Sequence, residues 1–212
     1  AGPDALRLPL RQVPLPEIVA AGFVVFALGV RDDLRAVSPA RKILVQALAA
    51  TLVAGSGIRI DHVTVSGTTW TLGPLAITAT VLWIVALTAA FDELDHLDAL
   101  APWLAIAGGA TCTAIVVVRG DTATAVMLAA LVGALAGFLP YTRASGLPLG
   151  SSGSLLTGFV LSVTAITGLQ KSATALAVGG LILIFALPID DILTMFVRRH
   201  ADRERKRRAH RT

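Results

Sequence analysis

The sequence predicts an all-α integral membrane protein: a polytopic bundle of about seven transmembrane helices with a small extracytoplasmic β-hairpin. Two observations carry this. First, 55% of the 212 residues are hydrophobic and only 15% charged, against about 25% charged in a typical soluble domain. The mean hydropathy of +0.75 agrees. Second, the apolar residues fall in long runs separated by short polar segments, and a bilayer core needs roughly 20 apolar residues per helix. A soluble enzyme, a disordered chain and a disulfide scaffold are excluded. The single cysteine, Cys112, lies in an apolar run and reads as a buried thiol.

The segment 1–16 contains four prolines and no apolar run long enough for a signal peptide. With Ala1 in first place, the chain reads as a fragment, and 1–16 as an extracytoplasmic segment. The transmembrane domain is expected over 17–197. Its spans in order are Glu17–Val30, Ile43–Ile58, Leu75–Phe91, Ala99–Val118, Thr122–Tyr141, Ser154–Leu169 and Ala173–Val197. The first two are short. The last is interrupted by Pro188, Asp190 and Asp191, which read equally as a broken helix at a working site or as a plain kink. Abundant Gly and Ala suit close helix packing in lipid. Between the second and third spans, Ile58–Leu72 alternates β-branched residues around Ser66-Gly67, a hairpin pattern.

Loop charges orient the bundle. Seven spans place Arg31–Lys42, Asp92–Asp98, Thr142–Ser151 and the tail on one side, which then carries thirteen Lys/Arg against five on the other. The positive-inside rule makes that side cytoplasmic in a cell membrane. Residues 198–212 hold eight Lys/Arg and two acids, net +6, while the rest of the chain carries −2. The basicity is thus a cytoplasmic tail rather than a basic domain, and no nucleic-acid partner is expected. The lipid bilayer is the expected surrounding, and a homodimer is compatible with it.

Six acids cluster in two of the loops assigned to the cytoplasmic side: Asp32, Asp33, Asp92, Glu93, Asp95 and Asp98. Solvated loop charge is the plain reading. The functional reading is preferred because ionisable groups at membrane depth usually work. Clustered carboxylates suit a hard divalent cation, and Mg²⁺ takes one or two of them while bridging substrate phosphates. Asp95 and Asp98, three apart, share a helical face. Adjacent Asp32 and Asp33 are aimed differently by helical geometry, so one can meet a metal and the other a substrate or a basic side chain.

These residues also carry a resemblance. Gly29-x-x-Asp32-Asp33, followed by Ser38-Pro39-x-x-Lys42 and Gln46, resembles the first signature of the polyprenyl-phosphate N-acetylhexosamine-1-phosphate transferases of glycosyl transferase family 4. The family's second signature, Asn-x-x-Asn-x-x-Asp-Gly-x-Asp-Gly-Leu, is similar to the run from Ala89 to Leu100. Both final aspartates stand as Asp95 and Asp98, whereas Ala89 and Asp92 replace the asparagines and His96 and Ala99 the glycines. The third signature is similar to Gly137–Tyr141 and then Leu149–Ser154, with Ser151 in place of the family's aspartate. Gly168–Ala175 and Leu187–Asp191 resemble later family spans. After Ala201-Asp202-Arg203 the family's His-rich loop is missing. The teichoic-acid and O-antigen branch is the nearer likeness.

The resemblance implies transfer of N-acetylhexosamine 1-phosphate, GlcNAc-1-phosphate foremost, from a UDP-sugar to polyprenyl phosphate with release of UMP. It implies Mg²⁺, with Mn²⁺ as the alternative. It implies catalytic roles for Asp32, Asp33, Asp95 and Asp98, with Asp32 on the lipid phosphate. Lys42, Arg41, Asp92, Gly150, Gly153 and Ser154 are implied in substrate binding, and Asp33, Asp92 and Ser151 at the metal. Arg41 and Lys42 read equally as interfacial anchors. A catalytically inactive relative that binds lipid phosphate or nucleotide-sugar is the alternative. A small transporter lacks its expected inverted repeat.

Overall fold

The computed structural model describes residues 14–65, 68–95, 100–118, 120–145 and 147–169. The seventh predicted span, the basic tail, and His96, Asp98, Ala99, Asp190 and Asp191 lie outside the described residues. Among the described residues there are six helices: α1 Leu15–Leu34, α2 Pro39–Gly55, α3 Leu75–Leu94, α4 Leu100–Val118, α5 Thr122–Ser145 and α6 Gly150–Leu169. Each overlaps one of the first six expected spans. Strands β1 (His62–Val65) and β2 (Thr68–Thr71) pair antiparallel between α2 and α3, with Val65 opposite Thr68 and His62 opposite Thr71.

Several helices run further than the sequence reading, whereas α2 ends at Gly55, short of the expected Ile58. Asp32, Asp33, Asp92 and Glu93 were expected in loops but lie inside the last turns of α1 and α3. Arg41 and Lys42 lie in the first turn of α2, and Gly150–Gly153 open α6. The sequence reading stopped each helix where apolar residues stop. The chain stays helical further, and partners on neighbouring helices satisfy Asp32, Asp33 and Asp92 there. Pro39 starts α2, where its missing N–H costs nothing.

α6 is the central helix and packs on α1, α3, α4 and α5. Leu155, Phe159 and Val163 on α6 are fully buried and join Ile18, Val25 and Leu28 of α1 and Ala49 and Val53 of α2 in one cluster. A second cluster gathers Leu87, Phe91 and Leu94 of α3 with Ala101, Leu128 and Leu161. Gly158 lets α3 approach: a Cβ there would lie 2.9 Å from Thr88 Cα and Phe91 Cβ. Buried hydroxyls on α6 bond back to their own helix, Ser162 to the Phe159 carbonyl and Thr164 to that of Val160.

The outward faces are apolar, with Phe23 69%, Leu48 59%, Leu82 64% and Val126 63% exposed. Among the described residues, four helical stretches are long and apolar enough to cross a membrane: Leu75–Leu94, Ala101–Val118, Thr122–Thr142 and Gly150–Thr167. α1 carries Glu17, Arg31, Asp32 and Asp33. α2 has 17 residues, about 25 Å of helix against a hydrocarbon core of roughly 30 Å. The hairpin joins the ends of α2 and α3 remote from Lys42 and Asp92. Its approach is fixed by the Ile60 N–H, which donates to Thr80 Oγ1 (2.9 Å), while that hydroxyl donates to the Ala76 carbonyl (2.7 Å).

Candidate functional site

The last turns of α1 and α3 and the first turns of α2 and α6 meet at one end of the bundle. The Lys42 ammonium stands at their centre, 2.6 Å from Asp32 Oδ2 and 2.8 Å from Asp92 Oδ2. Ser151 Oγ donates to Asp32 Oδ2 (2.7 Å), and Ser154 Oγ donates to Asp92 Oδ1 (3.0 Å). Ser151 and Ser154 are three apart, so both hydroxyls come from one face of the first turns of α6. The result is a closed ring of Ser151, Asp32, Lys42, Asp92 and Ser154 tying four helices together. Asp32 Oδ1 also accepts from the Val37 N–H (2.7 Å), which shapes the α1–α2 turn.

The other two acids hold the start of α6. Asp95 accepts from the N–H groups of Leu149 (2.9 Å) and Gly150 (2.7 Å). Asp33 accepts from those of Ser151 (2.8 Å) and Ser152 (3.0 Å). Four successive amides that a helix start leaves without internal partners are thus satisfied by two carboxylates from other helices. Negative charge there also favours the positive end of the helix dipole. Adjacent Asp32 and Asp33 therefore point to different partners, an ammonium and a helix start.

Two glycines permit this approach. A Cβ on Gly29 would lie 2.5 Å from the Ser151 carbonyl oxygen and overlap Ser152 Cα. Gly150 has φ +77°, and a Cβ there would sit 3.3 Å from both Asp33 oxygens. Gly153 lies under the Leu149 side chain, so its smallness serves packing.

The structure thus brings Asp32, Asp33, Asp92, Asp95, Lys42, Gly150, Ser151 and Ser154 together. Arg41 is exposed, and Asp98 is outside the described residues. Asp33, Asp92 and Ser151, the expected metal set, have separate partners. Among the described residues no three Asp, Glu, His or Cys side chains are grouped to hold a metal ion. Sequence reasoning missed the part played by the Leu149–Ser152 amides and the reason for Gly29. The run Gly-Ser-Ser-Gly-Ser, small and cap-forming, is the signal that marks a helix start. Gln46 Oε1, one turn beyond Lys42 on α2, and Thr142 Oγ1 are buried without a hydrogen-bond partner among the described residues.

Burial pushes the Asp32 carboxyl up, but hydrogen bonds from Lys42, the Val37 N–H and Ser151, with the lysine charge, hold it below its ordinary 3.8. Burial pulls the Lys42 ammonium down, but the two aspartates hold it above its ordinary 10.5. Asp32's contribution to stability is complete above the ordinary carboxyl value and is lost as pH falls through the lowered one. Lys42's is complete below 10.5 and is lost as pH rises through the raised one. Thermal unfolding in detergent is expected to show both limbs, with a plateau from about pH 5 to pH 9. Lys42→Met should shrink both limbs; an unchanged profile would show that the pair does not set them.

A helical membrane protein with an acid–ammonium ring at one end of its bundle is the class defined here. The sequence profile of glycosyl transferase family 4 matches residues 15–169, and the chain belongs to that family. It is 30% identical over 191 residues to a Bacillus subtilis protein named "Probable undecaprenyl-phosphate N-acetylglucosaminyl 1-phosphate transferase", covering 89% of this chain and 53% of that one. It is 41% identical over 111 residues to the phospho-N-acetylmuramoyl-pentapeptide-transferase of Rubrobacter xylanophilus, covering 50% and 32%. The Limosilactobacillus fermentum protein of the same name is 31% identical over 87 residues, covering 41% and 27%. The chain thus spans about half or less of the length of these relatives.

Proposed function

We propose that the protein transfers N-acetylhexosamine 1-phosphate, GlcNAc-1-phosphate foremost, from a UDP-sugar to a polyprenyl phosphate in the cell membrane. The observation that carries the reading is the Asp32–Lys42–Asp92 ring at one end of an apolar-faced bundle, in a chain of this family. Such a placement suits a reaction between a water-soluble anion and a lipid headgroup. In this reading that end faces the cytoplasm, the side that the charge bias of the loops favours.

In this reading an oxygen of the lipid phosphate attacks the sugar-side phosphorus. The bond from that phosphorus to the bridging oxygen breaks, and UMP leaves with the electron pair. A phosphate monoester has a second pKa of about 6, so the nucleophile is largely ionised at neutral pH and needs positioning more than deprotonation. Asp32 does that positioning. Lys42, with Arg41 at the rim, offsets phosphate charge. Asp33 and Asp95 hold the start of α6, so that Gly150 presents a fixed edge, with Gly153 and Ser154 packed behind it. Asp98 is assigned with Asp95 to the nucleotide side.

A divalent ion, Mg²⁺ or Mn²⁺, fits the donor chemistry, because Mg²⁺ needs only one or two carboxylates and keeps its waters. Asp32 and Asp92 would hold it only with the Lys42 ammonium moved aside from between them. When bound it supplies charge neutralisation for the diphosphate and the departing UMP.

The test is transfer of labelled GlcNAc-1-phosphate from UDP-GlcNAc to undecaprenyl phosphate in detergent with Mg²⁺. Lipid-linked product is expected, falling about 100-fold or more in Asp32→Asn. A second reading, a binding-only relative, is favoured by Ser151 in place of a carboxylate. It predicts UDP-sugar binding with no UMP released by the folded protein, a result that sinks the transferase reading.

A further inference from the structure

We propose that the β1–β2 hairpin docks on the bilayer itself: Trp70 lies in the phospholipid headgroup layer at the end of the bundle opposite the ring and anchors the chain there. The sequence alone places this hairpin outside the membrane, whereas the structure ties it too low to stand clear of the lipid. The inference rests on the bundle spanning a bilayer and is independent of the transferase reading.

The depth follows from how the hairpin is rooted. α3 runs 20 residues, about 30 Å of helix, which matches the hydrocarbon core. Its Asp92 end lies at the ring, so Leu75 marks the opposite boundary. Thr80 is five residues inside that boundary, about 7 Å of helix rise. The Ile60 N–H donates to Thr80 Oγ1 (2.9 Å), so the chain enters the hairpin from that depth. Ile58, two residues earlier, is buried in the core cluster with Val53 and Ile84. The Leu72 N–H donates to the Asp61 carbonyl (2.9 Å) and closes the base of the hairpin. Trp70 pairs with Val63, which is three residues beyond Ile60, at most about 10 Å of strand. An upright strand thus carries Trp70 only about 3 Å past the end of α3, and a strand tilted by about 45° leaves it level with that end. The headgroup layer is about 5–8 Å thick on each side.

The chemistry agrees with the depth. Trp70 is 66% exposed, and every residue of β2 is exposed. A two-stranded hairpin by itself is marginal in water. An indole, apolar with a single N–H, suits the boundary between lipid and water. Leu75 and Ile77 in the first turn of α3 are exposed as well, so the outward apolar surface of α3 reaches the level of the indole. Arg59 pairs with Asp61 (2.8 Å), which cancels the charge at the hairpin base. Zwitterionic lipid is therefore a sufficient partner.

The test is depth-dependent quenching in vesicles. The full chain carries three tryptophans, Trp70, Trp83 and Trp103, and W83F/W103F leaves Trp70 as the only one. This protein is reconstituted in phosphatidylcholine brominated either near the headgroup end of the acyl chain or near its methyl end. The shallow label is expected to quench Trp70 about twofold more than the deep one, and aqueous iodide to quench it little. Diluting the protein in lipid should leave this pattern unchanged. Quenching by iodide and by neither bromolipid overturns the proposal, because the hairpin then stands in water. Equal or stronger quenching by the deep label overturns it as well. So does shallow quenching that appears only on dilution, which would put a second copy of the chain on Trp70. The Trp83 indole donates to the Ser162 carbonyl (3.3 Å), so the double variant carries the risk of not folding. In that case the signal lost between wild type and W70F is read by the same criteria.

Discussion

Lys42→Met is expected to destabilise the protein more than any other single change in the ring. Removing the ammonium leaves Asp32 and Asp92, each with its side chain only 13% exposed, facing one another without a cation. Breaking a buried ion pair by deleting one partner typically costs 3–5 kcal/mol, because the remaining charge stays desolvated. Part of that is recovered when one carboxyl takes up a proton, so about 3 kcal/mol is expected here. That corresponds to a fall of roughly 6–12 °C in the unfolding midpoint. Lys42→Arg keeps the charge but replaces a compact ammonium by a planar fork, and should lose about half as much. Adding Asp92→Asn to Lys42→Met should return part of the loss, because one stranded charge goes with it. Equal midpoints for wild type and Lys42→Met would show that the ring contributes nothing net.

The second large effect is expected at Gly29. In an isolated helix Gly→Ala is favourable by about 1 kcal/mol. Here the added methyl would overlap the backbone of Ser151 and Ser152, which cannot swing away as a side chain can. Relieving the overlap moves the start of α6 off α1 and pulls the Ser151 and Ser152 amides from Asp33 and the Ser151 hydroxyl from Asp32. Overpacking costs about 1–3 kcal/mol, and a lost helix cap about 1 kcal/mol more. A net loss of about 1–3 kcal/mol is therefore expected despite the gain in helix propensity. Transferase activity in the assay above should fall with it. A more stable Gly29→Ala protein would show that the contact between α1 and α6 is slack.

What could be read from the chain alone was whatever depends on local composition. The six described helices follow from apolar runs, and the hairpin from β-branched alternation around Ser66-Gly67. The motif Gly29-x-x-Asp32-Asp33 with Ser38-Pro39-x-x-Lys42 carried the family likeness, which the match over residues 15–169 shows. Helix ends were misjudged wherever a charged residue follows the apolar run. Asp32, Asp33, Asp92 and Glu93 continue their helices, and no local rule reveals that the partners of the three aspartates sit on α2 and α6.

The partners themselves were decided by the tertiary structure. Lys42 and Asp92 are fifty residues apart, and Asp33 meets amides of α6 more than a hundred residues on. Hydropathy has no term for such pairs, because a carboxylate reads the same whether it faces water, an ammonium or a helix start. The sequence by itself therefore determined that this chain builds an apolar-faced helical bundle and which side chains carry charge near its ends. Only packing decided which charges meet, because that depends on how closely α1, α2, α3 and α6 approach, and Gly29 and Gly158 set that approach.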